Sequence, residues 1–298
     1  MTAVAIGGVN VDIIAASAGP LQRGVSNPGR IRITAGGAGR NVAENLARLG
    51  VPTRLIAAVD MHALADQAIE QTARAGVDVS GVVRISGRGS YYAAIQSGDS
   101  VEWAVSDMSA AESLTPGNID AQASAIRAAD AVIVDANLAA ATIQRAAELA
   151  GGRVFCLLPV SRAKAARIRS ALPRASLIVL SVGEAEVLSG ANIGTPKDAL
   201  RAAQTLQYAP SSTVVITMGE HGLGWAGSTS VWVEPLGGPV VDPSGGGDAV
   251  AAVAVYALLT GLEPRHAARL AMIAASMTLS VEGATHPGLS LDALHAGA

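Results

Sequence analysis

One segment of the chain combines residue types suited to phosphate chemistry: Asp242-Pro243-Ser244-Gly245-Gly246-Gly247-Asp248, followed by small residues over 249–254. The first backbone amides of a helix have no intrahelical acceptor, and together with the helix dipole they favour a bound anion. A carboxylate at such a place can take the proton of a hydroxyl that attacks a phosphate. The segment therefore predicts a phosphoryl-transfer site with Asp248 as the base, or a plain glycine-rich turn in which Asp248 is a helix N-cap.

A second glycine-rich segment, Gly36-Gly37-Ala38-Gly39-Arg40-Asn41, precedes a helical stretch near the start of the chain. Glycine lets the backbone approach a small ligand closely, and the amide of Asn41 offers both donors and an acceptor. The glycine spacing does not match the dinucleotide-binding fingerprint. Upstream, Asn10 and Asp12 lie on one side of an extended chain, where they could bind one polyol or simply cap the end of a strand.

Short apolar runs alternate with alanine-rich helical stretches, and these elements must position the two glycine-rich segments. Continuous apolar strands that alternate with helices predict an α/β fold with a mostly parallel sheet covered on both faces. Strands are predicted over 4–9, 55–59, 131–135, 154–158, 177–180 and 213–217, and helices over 40–49, 62–75, 138–150, 184–188, 197–206, 248–259 and 264–281.

Two segments interrupt this alternation. Residues 12–33 contain prolines and glycines without a helical period, and residues 90–105 alternate around Ser97-Gly98-Asp99-Ser100, which predicts a β-hairpin with a four-residue polar turn. Antiparallel pieces added to a parallel sheet predict a small lid over a site at the carboxyl ends of the strands, or a purely structural flap. The chain is thus predicted to be one domain over 1–298, with a β lid formed from about 10–34 and 88–107.

The composition narrows the class of protein. The net charge is −3 and basic runs are missing, which argues against a nucleic-acid surface. The longest apolar stretch, 249–259, is too short to span a bilayer, and the first apolar run lacks the basic region of a secretory signal. The single cysteine, Cys156, can form no intrachain disulfide, which favours a reducing compartment. We therefore expect a cytoplasmic protein that acts on a small molecule, with neither nucleic acid nor membrane as a partner.

Taken together, the two glycine-rich segments resemble the signatures of the ribokinase-like sugar kinases, the phosphofructokinase-B-type carbohydrate kinases. They stand about two hundred residues apart, and the resemblance runs essentially from end to end. It implies a three-layer α/β/α ribokinase-like fold with a mostly parallel central sheet and a small β lid. It also implies an ATP-dependent kinase in which Asp248 is the general base and the amides of Gly245, Gly246 and Gly247 stabilise the transferring phosphoryl group.

The resemblance implies roles for further residues. Glu184 would help to hold Mg²⁺ through water, and Asp242 with the loop 284–288 would lie where many relatives bind a monovalent cation such as K⁺. The lid would pair two subunits into a homodimer. The acceptor sugar would be bound by Asn10, Asp12, Gly36, Gly37 and Asn41, and the nucleotide by Ser181, Thr217, Gly219, Gly222 and Ala275.

Within the family, the chain resembles the pseudouridine kinases at Ser26-Asn27-Pro28-Gly29, at Gly39-Arg40-Asn41, at the hairpin with Tyr92, and at Asp135-Ala136-Asn137. This likeness adds Tyr92 and Asn137 to the expected acceptor site. Ala38 stands where ribokinases usually carry a lysine suited to a free sugar. The expected reaction is therefore phosphorylation of the 5′-hydroxyl of pseudouridine.

Other acceptors stay open: ribose, a purine nucleoside, or 2-keto-3-deoxygluconate, for which Arg23, Arg30 and Arg32 of the lid could supply a cation. A further alternative is a ligand-binding protein that has lost turnover. It is motivated by departures from the family pattern: Ser181 replaces a usual asparagine, Leu158 a frequent aspartate, and Pro243 removes a backbone donor. These departures predict weaker metal binding or a slower rate.

Overall fold

The computed structural model describes residues 1–97 and 100–297, and its strands form two sheets. The strands are β1 (Ala3–Ile6), β2 (Asn10–Ser17), β3 (Gly29–Gly36), β4 (Thr53–Val59), β5 (Asp78–Arg84), β6 (Tyr91–Ser97), β7 (Ser100–Asp107), β8 (Ala131–Asp135), β9 (Val154–Leu158), β10 (Leu177–Ser181), β11 (Thr213–Thr217), β12 (Leu223–Ala226) and β13 (Ser230–Val233). The larger sheet has the order β13-β12-β11-β10-β9-β8-β1-β4-β5. Its neighbours from β5 to β11 pair in parallel, while β12 and β13 are antiparallel.

Helices cover both faces of this sheet, as the continuous apolar strands require. They are α1 (Ala38–Arg48), α2 (Ala63–Arg74), α3 (Ser109–Glu112), α4 (Pro116–Ala121), α5 (Ala123–Ala128), α6 (Ala140–Ala150), α7 (Val182–Ser189), α8 (Pro196–Thr205), α9 (Gly246–Thr260), α10 (Pro264–Leu279) and α11 (Leu291–Ala296). Successive residues of one strand enter different cores: Ala5 belongs to the core that contains residues of α1, α2, α9 and α10, and Ile6 belongs to the core that contains residues of α6, α7 and α8. Three layers therefore enclose two cores.

Helix α9 is largely buried. It begins where Gly245 adopts a left-handed φ of 78°, and it ends at Gly261, whose φ is 69°. Its small residues are apolar on every side, because it packs against α1 and α10 and against the sheet. This packing fixes the position of Asp248 in its first turn.

The second sheet has four strands in the order β3-β2-β6-β7. Strand β2 pairs antiparallel with β3 and parallel with β6, and β6 pairs antiparallel with β7. The predicted three-layer α/β/α arrangement with a mostly parallel sheet and a small β lid is therefore confirmed. The hairpin over 90–105 is present, although Gly98 and Asp99 of its predicted turn lie outside the described residues. That the whole of 1–298 is one domain stays a prediction.

Several predicted boundaries differ from the structure. The predicted strand 4–9 ends at Ile6, because Gly7 and Gly8 form a bend before β2. Strand β5, the hairpin β12–β13 and the short helices α3 to α5 were not predicted. In the described part of the chain no helix is both long and apolar enough to cross a membrane. Cys156 is fully buried in β9.

Candidate active site

A cavity of about 870 Å³ lies between the lid and the carboxyl ends of the parallel strands. Its volume is within the range of small-molecule sites. The lid contributes Asp12 and Tyr92, and the strand ends contribute Ser181 and Thr217. The predicted site residues that line the cavity are Asn10, Asp12, Gly37, Asn41, Tyr92, Asn137, Ser181, Glu184, Thr217, Gly245, Gly247 and Asp248.

Six predicted site residues lie outside the lining. Gly246 is buried against Leu279, and Gly36 lies directly against the carboxylate of Asp12. The others are Gly219 and Gly222, at the short turn after β11, Ala275 in α10, and Asp242. The nucleotide-binding roles of Gly219, Gly222 and Ala275 stay predictions.

Asp248 lies at the centre of the site. The Nδ2 atom of Asn41 donates to its Oδ2 atom at 2.8 Å. Burial raises the pKa of Asp248 to about 7, the charges of Asp135 and Glu184 add to the shift, and the hydrogen bond from Asn41 opposes it. A carboxylate whose pKa lies near neutrality can both accept and release a proton at physiological pH, which is what a general base requires.

A buried arginine in α1 fixes the orientation of Asn41. The Nη1 atom of Arg40 donates to Oδ1 of Asn41 at 3.0 Å, so the amide nitrogen of Asn41 is turned toward Asp248. Arg40 is 1% exposed; it forms an ion pair with Glu44 and donates to Oγ1 of Thr72 at 3.1 Å. Sequence reasoning assigned Arg40 no role, although its spacing of four residues from Glu44 was a signal for a helical ion pair.

Asn10 and Asp12 form a polar pair under the lid. Nδ2 of Asn10 donates to Oδ1 of Asp12 at 3.2 Å, as their predicted placement on one side of the strand requires. The register sets Asp12 between Thr34 and Tyr92. Burial raises the pKa of Asp12, with the hydrogen bond from Asn10 opposing. Oδ1 of Asn10 is buried, and the described part of the chain offers it no hydrogen-bond donor, so a ligand hydroxyl can donate to it.

Asp135 connects the bend at Gly7 and Gly8 to the start of α1 at Gly39. It is fully buried, and its carboxylate accepts backbone N–H groups from Gly8 at 2.8 Å, Gly39 at 2.9 Å and Asn137 at 2.8 Å. Gly7 is required here, because a Cβ atom would collide with this carboxylate. Burial raises the pKa of Asp135, and the three backbone donors oppose the shift.

Lys164 is a cavity residue that sequence reasoning missed. Its Nζ atom donates to Oδ1 of Asn137 at 2.8 Å, and burial lowers its pKa. Among the described residues that line the cavity, it is the only lysine, arginine or histidine. The available signal was its rarity, since the chain has only two lysines, Lys164 and Lys197.

Glu184, which is predicted to help hold Mg²⁺, lines the cavity. It is buried in the first turn of α7, Oε2 accepts the backbone N–H of Ser181 at 2.8 Å, and burial raises its pKa. Within residues 1–97 and 100–297, no group of three His, Cys, Asp or Glu could hold a metal ion by itself. This donor set fits Mg²⁺, which keeps several waters and binds one or two carboxylates together with substrate phosphates.

Asp242 does not present a free carboxylate to a monovalent cation. Its Oδ1 atom accepts the backbone N–H of Ser244 at 3.0 Å, and Oδ2 accepts Nη2 of Arg32 at 2.6 Å and the N–H of Gly283 at 3.1 Å. The positive charge at this place thus comes from the chain itself.

Comparisons with known proteins agree with this geometry. Residues 2–290 match the family model described as pfkB family carbohydrate kinase. The chain is 28% identical over 292 residues to pseudouridine kinase of Escherichia coli strain K12, covering 97% of this chain and 93% of that protein. It is 30% identical over 297 residues to guanosine-inosine kinase of Exiguobacterium acetylicum, covering 97% and 98%.

The fold is also that of solved ribokinase-like structures. Ribokinase II of Escherichia coli, in complex with ATP and Mg²⁺, superposes with a TM-score of 0.82 at 20% identity and covers 99% of this chain and 98% of that one. The predicted ribokinase-like fold is confirmed, and so is the prediction of a carbohydrate or nucleoside kinase.

Proposed function

The chain belongs to the pfkB family of carbohydrate kinases, and on that premise we propose that it transfers the γ-phosphoryl group of ATP to the 5′-hydroxyl of pseudouridine. The observation that carries the proposal is Asp248: an aspartate with a pKa of about 7, held by Asn41 at the glycine-rich start of a buried helix. The similarity to a pseudouridine kinase over 97% of the chain supports the choice of acceptor.

The proposed reaction follows from the placement of these groups. Asp248 takes the proton of the acceptor hydroxyl as its oxygen bonds to the γ-phosphorus, and the bond from that phosphorus to the bridging oxygen breaks. ADP leaves with the bonding electrons, and Asp248 later returns the proton to water. Gly245 and Gly247 line the cavity, and their backbone amides would stabilise charge on the transferring group. When bound near Glu184, Mg²⁺ would neutralise charge on the phosphate oxygens.

The strand order supports separate binding places for the two proposed substrates. The residues proposed for the acceptor, Asn10 and Asn137, follow the neighbouring strands β1 and β8. The residues proposed for the nucleotide, Ser181 and Thr217, end the neighbouring strands β10 and β11. Lys164 follows β9, which lies between them. This arrangement supports transfer of a phosphoryl group across the middle of the cavity.

The residues beneath the lid support a binding place for the base of a nucleoside. Tyr92 and Met108 line the cavity on the side of Asn10 and Asp12, and an aromatic ring offers a stacking surface for a base. Ala38 also lines the cavity and leaves space where a longer side chain would intrude. Of the arginines suggested for a sugar acid, Arg23 and Arg30 are exposed and Arg32 is paired with Asp242, which does not favour 2-keto-3-deoxygluconate.

A purine nucleoside is the second candidate, because the guanosine-inosine kinase is 30% identical over nearly its full length. The test is phosphoryl transfer from ATP and Mg²⁺ to pseudouridine, uridine, guanosine, inosine, ribose and 2-keto-3-deoxygluconate. We expect the highest kcat/KM for pseudouridine and its loss in Asp248→Asn. The matched control is Asp292→Asn, an exposed aspartate in the first turn of α11. A higher kcat/KM for inosine would replace pseudouridine with a purine nucleoside.

We also propose a homodimer that forms through the outer face of the lid. Side chains alternate along the lid strands, so Asp12 and Tyr92 face the cavity, Thr34 lies on the same side of the sheet, and the opposite face points outward. The outward side chains are apolar and exposed, among them Ile31, Ile33, Ile95, Trp103 and Val105. A continuous exposed apolar face of this kind is typical of a protein–protein contact.

A further inference from the structure

The loop that leads into the phosphate-binding helix is held by one buried carboxylate. Asp242 is only 5% exposed at its side chain, and three groups donate to it. Two of them, the backbone amides of Ser244 and Gly283, belong to two different loops. The third is the guanidinium of Arg32. Asp242 therefore ties together the two loops that meet beside the start of α9.

These two loops determine where the amides of the predicted anion hole lie. Gly245 has a left-handed φ of 78°, and it packs so closely on the carbonyl of Ala284 that no Cβ atom would fit. The position of Gly245 thus depends on the loop through Gly283 and Ala284. Any displacement of the carboxylate of Asp242 would be transmitted to the first turn of α9, which contains Asp248.

Arg32 reaches this carboxylate from the lid. It lies on β3, opposite Ile14 of β2, on the face that also carries Thr34 and Asp12. Its Nη2 atom is 2.6 Å from Oδ2 of Asp242, and its side chain is 28% exposed. A guanidinium is charged at every relevant pH and donates in fixed directions. Its attachment to the same chain gives it a high effective concentration at Asp242.

We propose that Arg32 is a built-in cation: it balances the charge of Asp242, positions the anion-hole loop, and makes a bound monovalent cation at this place unnecessary. A K⁺ ion on the same carboxylate would have to displace a tethered charge or lie beside it. Arg32 is a positioning residue in this proposal, since it does not line the described cavity. Of the two measurements that test this inference, kcat/KM rests on the proposed kinase activity, whereas thermal unfolding does not.

The experiment compares the wild type with Arg32→Met, Arg32→Lys and the matched control Arg30→Met, an exposed arginine two residues away on the same strand. Each protein is assayed in KCl and in tetramethylammonium chloride at equal ionic strength, for kcat/KM and for thermal unfolding. We expect the wild type, Arg30→Met and Arg32→Lys to be indifferent to the cation. Arg32→Met should lose on the order of tenfold in kcat/KM in tetramethylammonium and recover most of it in K⁺.

Thermal unfolding tests the same inference without turnover. K⁺ should raise the Tm of Arg32→Met by about 2–4 °C at a concentration tenfold above its Kd, because it binds only the folded state. The Tm of the wild type should not respond. If the wild type phosphorylates none of the acceptors, the proposed function fails while this shift still tests the role of Arg32.

Three outcomes would overturn the inference. One is a wild type that requires K⁺ for activity or is stabilised by it. The second is an Arg32→Met protein with full activity in tetramethylammonium. The third is a loss of kcat/KM and Tm in Arg32→Met that K⁺ restores in neither measurement. Arg32 would then be a structural contact whose charge a bound cation cannot replace. If Arg32→Met does not fold, Arg32→Gln is assayed in its place. Recovery of its activity or a rise of its Tm in K⁺ supports the inference, and a loss that K⁺ repairs in neither readout overturns it.

Discussion

At the scale of single residues, the burial that raises the pKa of Asp248 also lowers the stability of the fold at neutral pH. Its carboxylate has a pKa of about 7 in the folded chain and an ordinary value near 3.8 when unfolded. Between these values the folded state binds more protons than the unfolded state, so this group's contribution to stability falls as the pH rises from about 4 to about 7. At neutral pH the ionised carboxylate therefore lowers the stability of the folded state, and the rest of the fold offsets this loss.

The first prediction concerns the pH dependence of turnover. A general base must be ionised, so kcat/KM for the acceptor should fall about tenfold for each pH unit below a midpoint near 7 and level off above it. Stopped assays from pH 5.5 to 8.5, with the acceptor concentration well below KM, measure this fall in kcat/KM. A profile that stays flat down to pH 5.5 would contradict a role for Asp248 as the base with this pKa.

The second prediction is that Asp248→Asn unfolds at a higher temperature than the wild type at pH 8. The amide keeps an oxygen that accepts from Asn41 but carries no charge to be desolvated, so stability should rise by on the order of 1 kcal/mol. Calorimetry measures the change. A lower Tm at pH 8 would show that the ionised carboxylate is stabilised in the apo cavity.

The third prediction concerns the role of Lys164 in phosphoryl transfer. Its ammonium group lies beside Asn137, after the strand between the two proposed substrate sites, and can neutralise charge on the group in transfer. Lys164→Met should lower kcat by about 10²-fold. Lys197→Met, on the exposed face of α8, is the control and should behave as wild type. An unchanged kcat with a raised acceptor KM would place Lys164 in acceptor binding only.

At the scale of elements, the central strands were the predictable part. Strands β8, β9 and β11 have the predicted bounds, because their runs of apolar residues are buried on both faces and leave no other pairing. Strand β5 contains Gly81 and polar residues at alternate positions, and it is a sheet edge, so its local signal is weak. The β12–β13 hairpin consists of strands of four residues, which is too short for a periodic pattern to show.

The fourth prediction concerns the junction that Asp135 holds. Asp135→Ala would leave the N–H groups of Gly8, Gly39 and Asn137 without an acceptor in a fully buried place, which should destabilise the fold by about 3 kcal/mol or more. Asp130→Ala, at the other, exposed end of the same strand, should cost less than about 1 kcal/mol. Denaturant unfolding compares the two. Equal losses of unfolding free energy in the two variants would mean that the contacts of Asp135 with Gly8, Gly39 and Asn137 do not hold the fold together.

At the scale of the whole molecule, many residues that line the cavity could be predicted from the sequence, but the residues that hold them in place could not. Asn10, Asn41 and Asp248 could be named because they lie at strand ends and in glycine-rich segments, and the family resemblance favoured a binding or catalytic role over a capping role there. Arg40, Asp135 and Lys164 could not, because their roles depend on neighbours distant in the chain: Arg40 on Thr72, Asp135 on Gly8, and Lys164 on Asn137. Such pairings arise only when the strand order is known.

The fifth prediction tests the outer face of the lid. Trp103→Lys combined with Val105→Lys puts two charges into the apolar face, where the parent side chains are 63% and 72% exposed. We expect the wild type to be a dimer by light scattering and the double variant a monomer. Tyr208→Lys, a similarly exposed apolar position far from the lid in sequence, is the control and should stay dimeric. A wild type that is monomeric at all concentrations would overturn the proposed assembly.

The alternation of the lid strands has a consequence beyond assembly. In β2 and β6, one residue faces the proposed acceptor and the next faces outward, so no substrate can shift the sheet without shifting the outward face as well. In a dimer joined through that face, occupancy of one cavity would change the energy of closing the other. The saturation curve for the acceptor should then be sigmoidal, with a Hill coefficient above one, while the curve for ATP, whose proposed site is at the strand ends and not in the lid, should stay hyperbolic.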